Sequence, residues 1–201
     1  MRVAVVDYGA GNLLSVANAL SYLEADFFIS NQAELLDRSD KLIFPGVGHA
    51  KSAMDNLRAS GIDDFLRSYA ASGRVIFGIC LGSQLFLEHT EEGDAVCLSF
   101  MPGSCKRFAK NGVKVPQIGW NNVYHTGHYL FNGIPDGSAF YFVHSYYTIP
   151  KYEENVLCTA TYALQYAAGL VKDNLLAVQF HPERSGRLGL KMLANFLEAK
   201  Y

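Results

Sequence analysis

The sequence predicts an α/β fold: a mostly parallel central sheet flanked by helices, with additional antiparallel strands. Three observations carry this. Over residues 1–87, short apolar runs at Val3–Val6, Lys41–Phe44 and Val75–Phe77 alternate with amphipathic stretches, and such alternation builds a parallel sheet covered on both faces. The runs lack period-two alternation, as strands buried on both faces do. From Ala95 to Thr161 the texture changes to β-branched and aromatic segments broken by Gly, Pro and Asn, which reads as antiparallel strands beside the parallel core.

Taken in order, Val3–Val6 is a strand, Asp7–Asn12 the loop after it, and Leu13–Leu23 a helix with apolar spacing. Gly9-Ala10-Gly11 resembles the opening of a dinucleotide fingerprint, but Leu14 stands where the third glycine belongs, so the stretch reads as a tight strand-to-helix turn instead. Asp26–Ser30 is a strand, Gln32–Arg38 a short helix, and Lys41–Phe44 a strand ending in Pro45-Gly46-Val47-Gly48-His49. Helices are expected at Ala50–Ala59 and Ile62–Ser72, a strand at Val75–Phe77, a helix turn at Gln84–Leu87, and a polar loop at Glu88–Asp94. Ser104–Phe108, Gln117–Tyr124 and Ser138–Tyr147 are the clearest antiparallel segments; within them His144 reads as a packed strand histidine and Trp120 as a core residue. Ala167–Val171 and Leu175–Phe180 form a hairpin about Asp173-Asn174, and Ser185–Ala199 is the last helix.

Size and composition bound the function. The 201 residues, half of them hydrophobic, suffice for a single domain spanning 1–201. A net charge of −2 argues against nucleic acid and against an anionic membrane. The basic residues crowd only at Lys106-Arg107 and Lys110, which reads as a solvated loop. Cys80, Cys97, Cys105 and Cys158 include no C-x-x-C pair, so no metal site is expected. The first strand begins at once, without a secretory leader, and the expectation is a reduced, cytoplasmic chain. No apolar run approaches the roughly twenty residues that cross a bilayer.

The chemistry concentrates at Gly78-Ile79-Cys80-Leu81-Gly82. A strand, a sharp turn and a helix start meet at one thiol, the arrangement of a nucleophile elbow with Cys in place of Ser. The glycines leave room on either side of it, and the helix start favours a thiolate. A base is available where a second buried strand ends in His181-Pro182-Glu183. If that segment stays extended, Glu183 lies on the same side as His181 and can fix its tautomer. Two glycines around Val47 at a third strand end suit an oxyanion hole of backbone N–H groups.

These motifs resemble the class I glutamine amidotransferases, and within that class the family of glutaminase subunits serving imidazole glycerol phosphate synthase. The match rests on Asp7-Tyr8-Gly9-Ala10-Gly11-Asn12, Pro45-Gly46-Val47-Gly48, Gly78–Gln84, Gly119-Trp120-Asn121, Tyr141–Tyr146 and Gln179–Gly186. It spans essentially the whole chain. The resemblance implies that Cys80 attacks the side-chain amide of L-glutamine, that His181 moves the proton, and that Glu183 orients His181. It implies oxyanion donors at Leu81 and near Val47 and Gly48, and substrate contacts from Gly46, Gly48, Gln84, Ser145 and Tyr146. No cofactor is implied. The partner implied is a (β/α)8-barrel cyclase subunit that receives the ammonia as one half of a heterodimer, with Asn12, Trp120, Tyr141 and Arg184 at or near the contact.

The chain departs from the family at Val96–Phe100 and at Pro116-Gln117-Ile118. Neither stretch touches the triad, but both bear on the partner surface. Two other readings therefore stand beside the first: a paralogue feeding ammonia to another synthase, such as one modifying surface sugars, and a non-catalytic scaffold subunit.

Overall fold

A computed structural model describes residues 1–109 and 112–199; Lys110, of the basic cluster, lies outside the described residues. The chain runs β1 (Val3–Val6), α1 (Leu13–Tyr22), β2 (Phe27–Ser30), α2 (Ala33–Leu36), β3 (Lys41–Gly46), α3 (Ala50–Ser60), α4 (Ile62–Ala71), β4 (Val75–Cys80) and α5 (Leu81–Gln84). It continues with β5 (His89–Thr90), β6 (Ala95–Val96), β7 (Gly103–Arg107), β8 (Gln117–His125), β9 (Ser138–His144) and β10 (Tyr146–Pro150). β11 (Val156–Tyr162), β12 (Leu164–Lys172), β13 (Leu175–Val178) and α6 (Gly186–Glu198) complete it.

Five strands pair in parallel in the order β2-β1-β3-β4-β13. Every residue of β1, β3, β4 and β13 is buried, which is why these segments carry no polar alternation. One face of this core packs Val5, Phe77 and Val178 against Val16 and Leu20 of α1 and Leu193 and Phe196 of α6. The other packs Leu42, Phe44 and Ile76 against Met54 and Leu57 of α3 and Leu66 and Tyr69 of α4. Lys41 ties the start of β3 to the end of α6: its Nζ donates to the Phe196 and Ala199 carbonyls at 2.6 Å each, capping α6. Burial lowers its pKa to about 8 against a smaller opposing pull from Asp40.

β12 joins antiparallel to β13, and β10, β11, β8 and β9 extend the sheet from there. The expected hairpin is present, with Lys172 opposite Leu175 and Gly169 opposite Val178. His144 is packed as expected, 5 % exposed.

Four local expectations are corrected. β3 runs on through Pro45-Gly46, because Gly46 still pairs with Cys80. The helix at the elbow starts directly after Cys80, at Leu81 rather than Gln84. Part of the polar loop is the short strand β5, held by β6 and β7. Trp120 is not core: it is 60 % exposed. Along β8 the even-numbered residues from 118 to 124 all point outward, and strand periodicity puts residue 120 on that face.

Candidate active site

β3, β4 and β13 run the same way and end on one edge of the sheet, with Gly46 opposite Cys80 and Val178 opposite Ile79. Three loops therefore converge there. Cys80 sits at φ 55°, ψ −108°, outside the regions most residues occupy. The elbow is tight enough to exclude side chains around it. A Cβ on Gly82 would overlap the Phe44 carbonyl oxygen, and one on Gly78 would come within 3.0 Å of the Gly82 carbonyl oxygen. Ser83 Oγ donates to the Cys80 carbonyl at 2.7 Å and braces the turn.

His181 follows β13. Its backbone N–H donates to the Tyr141 carbonyl at 2.9 Å, and its carbonyl accepts from Ser185 Oγ at 2.7 Å. Pro182–Arg184 is a 3₁₀ turn, so the segment does not stay extended as expected. The turn serves the same end: it folds Glu183 back so that Oε1 lies 2.8 Å from His181 Nδ1, both side chains being almost fully buried. Nδ1 then donates to Glu183 and Nε2 is left for Cys80. Burial alone would lower the His181 pKa, but the Cys80 sulfur and the Glu183 carboxylate outweigh it and push it up to about 10. Sulfur and imidazole thus line a pocket of about 280 Å³, with the Glu183 carboxylate on the far side of the imidazole.

That pocket is lined by nine of the residues singled out in the sequence: Val47, Gly48, Cys80, Leu81, Gln84, Ser145, Tyr146, His181 and Arg184. Gly46 and Asn12 lie behind the pocket, around a smaller cavity that they share with Val47, His181 and Glu183. A Cβ on Gly46 would collide with the Tyr8 hydroxyl and come within 2.9 Å of the Leu81 Cβ, so glycine lets β3 lie against the elbow. Gly48 takes φ +106°, a conformation that suits glycine. The Leu81 N–H belongs to the first turn of α5, where a helix has no internal acceptor. Tyr141 and Trp120 stand outside the pocket: the Arg184 guanidinium lies 5.1 Å from the Tyr141 ring, which meets Trp120 edge-on at 6.1 Å.

Four residues to which the sequence reading gave no place in the site lie at it. Glu92, Pro116 and Val143 line the pocket, and Gln179, 1 % exposed, lies against Cys80. Glu92 brings a carboxylate to the pocket and accepts from the Ala50 N–H at 2.9 Å. His144 holds the pocket wall, with Nδ1 2.7 Å from the Tyr146 carbonyl. Burial, together with the nearby His181, lowers the His144 pKa to about 4 despite that acceptor, so it stays neutral. Among the described residues no group of three or more His, Cys, Asp or Glu could hold a metal ion.

A family model described as Glutamine amidotransferase class-I matches residues 4–199. The chain is 45% identical over 199 residues to the imidazole glycerol phosphate synthase subunit HisH of Chlorobaculum tepidum, covering 98% of this chain and 99% of that one. It is 43% identical over 197 residues to the subunit of the same name from Herpetosiphon aurantiacus, covering 98% and 93%. Among solved structures, PurLQS from Thermotoga maritima shares the fold with a TM-score of 0.76 at 20% identity, over 98% of this chain and 97% of that one.

Proposed function

The chain belongs to the class-I glutamine amidotransferase family, and on that premise we propose that it is the glutaminase subunit of an imidazole glycerol phosphate synthase, with Cys80, His181 and Glu183 as its catalytic triad. The observation that carries the reading is the imidazole held between a buried carboxylate and the elbow sulfur, above the pocket.

The reaction follows from the charges. His181, held protonated by the groups on either side of it, leaves the sulfur as the nucleophile. The sulfur adds to the side-chain amide carbon of L-glutamine, and the carbonyl oxygen becomes an anion. The Leu81 N–H and a backbone N–H near Val47 and Gly48 receive that charge; losing one such donor costs roughly 3–4 kcal/mol of barrier. His181 gives its proton to the amide nitrogen, the C–N bond breaks, and ammonia leaves a thioester on Cys80. Water, deprotonated by the now neutral His181, attacks the thioester and releases L-glutamate. Gln84, Ser145 and Tyr146 hold the substrate, and the Glu92 carboxylate at the pocket wall suits its α-ammonium.

Ammonia in neutral water is protonated and no longer nucleophilic, so the product is passed on within a complex. We assign the receiving partner to a (β/α)8-barrel cyclase subunit docked near Asn12, Trp120, Tyr141 and Arg184. The exposed Trp120 and Ile118 beside the pocket support that placement. Four free, buried cysteines support the cytoplasm as its compartment, and among the described residues no helix is long and apolar enough to cross a membrane. The test is Cys80→Ala assayed with the cyclase subunit: glutamate formation from glutamine is expected to stop, and its persistence refutes the triad.

A further inference from the structure

The mechanism above leaves one buried amide against the reacting sulfur without a task. Gln179 lies two residues before His181. Its Nε2 is 3.8 Å from Cys80 Sγ, and its Oε1 accepts from Gln84 Nε2 at 3.0 Å. Gln84 Nε2 also donates to the Tyr146 carbonyl at 3.1 Å.

A side-chain amide can be turned end for end without changing its outline, so its direction must come from a neighbour of fixed identity. The Tyr146 backbone carbonyl can only accept. It therefore faces the NH₂ of Gln84, not its oxygen. The two hydrogens of that NH₂ go to Tyr146 and to Gln179, so the oxygen of Gln179 faces Gln84. Its NH₂ is then the end at the sulfur. Turning either amide over would set donor against donor or acceptor against acceptor inside a buried site.

Cys80 Sγ has a second neighbour, the Val143 carbonyl, also at 3.8 Å. A thiol can donate there. Once its proton has passed to His181, the sulfur is an anion; a carbonyl oxygen repels it and an N–H attracts it. We propose that Gln179 is a positioning residue that holds the ionised Cys80 sulfur in its attacking orientation and ties it, through Gln84, to the glutamine-binding strand β10. This rests on Cys80 being the nucleophile.

Two variants test it. Gln179→Met keeps the shape and removes the N–H; Gln179→Glu keeps an oxygen for Gln84 but turns an oxygen toward the sulfur. The first readout is the rate at which iodoacetamide alkylates Cys80 at neutral pH, measured on the Cys80 peptide, with buried Cys158 as the internal control for folding. Gln179→Met is expected to slow alkylation about tenfold, in line with one hydrogen bond to a charged group, and Gln179→Glu to slow it further. In the complex, kcat is expected to fall by a similar factor while KM for glutamine moves less than about threefold. Alkylation of Gln179→Met at the wild-type rate overturns the proposal. So does a raised KM with kcat unchanged, or a loss of rate that only tracks alkylation of Cys158. The alkylation readout needs no turnover, so its failure is distinct from failure of the glutaminase reading, which Cys80→Ala tests.

Discussion

Gly82→Ala separates a steric cost from a conformational one at the elbow. Gly82 is not among the residues with positive φ, so alanine meets no backbone penalty there. What it meets is β3: the new Cβ would overlap the Phe44 carbonyl oxygen and sit 3.1 Å from the Phe44 carbonyl carbon. Backbone atoms of a fully buried strand cannot rotate aside, so β3 and α5 must separate. Overpacking of this kind costs about 1–3 kcal/mol, and a backbone obstacle puts this case at about 3. For a chain of this size that lowers the melting temperature by about 6–12 °C. Because the displaced turn carries Cys80, a shift of about 1 Å is expected to lower glutaminase kcat/KM about a hundredfold. Gly61→Ala is the control. Gly61 holds φ +71° with nothing within 4 Å of a Cβ, so alanine there costs about 1 kcal/mol of backbone strain and leaves the site intact. Calorimetry and a coupled glutamate assay on both variants check this. If Gly82→Ala melts within about 3 °C of wild type with full activity, the close approach of β3 to α5 is not what demands glycine.

Two further outcomes are expected. Glu183→Gln keeps the shape beside His181 but removes the charge; the His181 pKa falls from about 10, and kcat falls by about 10² to 10⁴. A pH–rate profile whose alkaline limb stays at the wild-type position contradicts this. His144 is neutral in the fold, with its pKa lowered to about 4 from 6.5. Its contribution is complete above pH 6.5 and is lost as pH falls toward 4. At about 1.4 kcal/mol per tenfold change in proton affinity, that loss reaches about 3 kcal/mol. Replacing His144 with Gln is expected to flatten the melting temperature against pH across that window, and an unchanged slope contradicts it.

What the sequence made legible was local. Gly-x-Cys-x-Gly, two glycines about Val47 and His-Pro-Glu each announce a turn at a strand end, because tight turns demand particular residues. The all-apolar strands gave away the parallel core for a different reason: a strand buried on both faces has no polar alternation. What was hidden depends on contacts between distant segments. Glu92 sits in an ordinary acidic loop, and contacts with distant segments, the pairing of Thr90 with Cys105 and the bond from the Ala50 N–H, bring that loop beside the pocket. Gln179 precedes His181 by two residues, a spacing that puts both on one face of an extended segment, which was a usable signal, yet its partner Gln84 comes from a different element. Trp120 was misplaced because a lone strand does not say which of its faces the sheet covers; the alternation along β8 decided it.

A residue that does no chemistry helps to set the height of His181 over Cys80. β13 has four buried apolar residues, and such a strand carries no alternation to set its own register. A slip by one position against β4 would turn the histidine to the other face. Asn174, in the turn before β13, opposes it, together with the pairing of β13 with β12. Its side-chain amide donates to the Ala70 and Arg74 carbonyls at 2.9 and 2.7 Å, and its backbone carbonyl accepts from Ile76 N–H at 3.2 Å. These bonds pin the start of β13 beside the start of β4. From there both strands advance by the same rise per residue, with Leu175 opposite Ile76 and Val178 opposite Ile79. The bonds of one asparagine at the near end thus help the sulfur and the imidazole to meet at the far one.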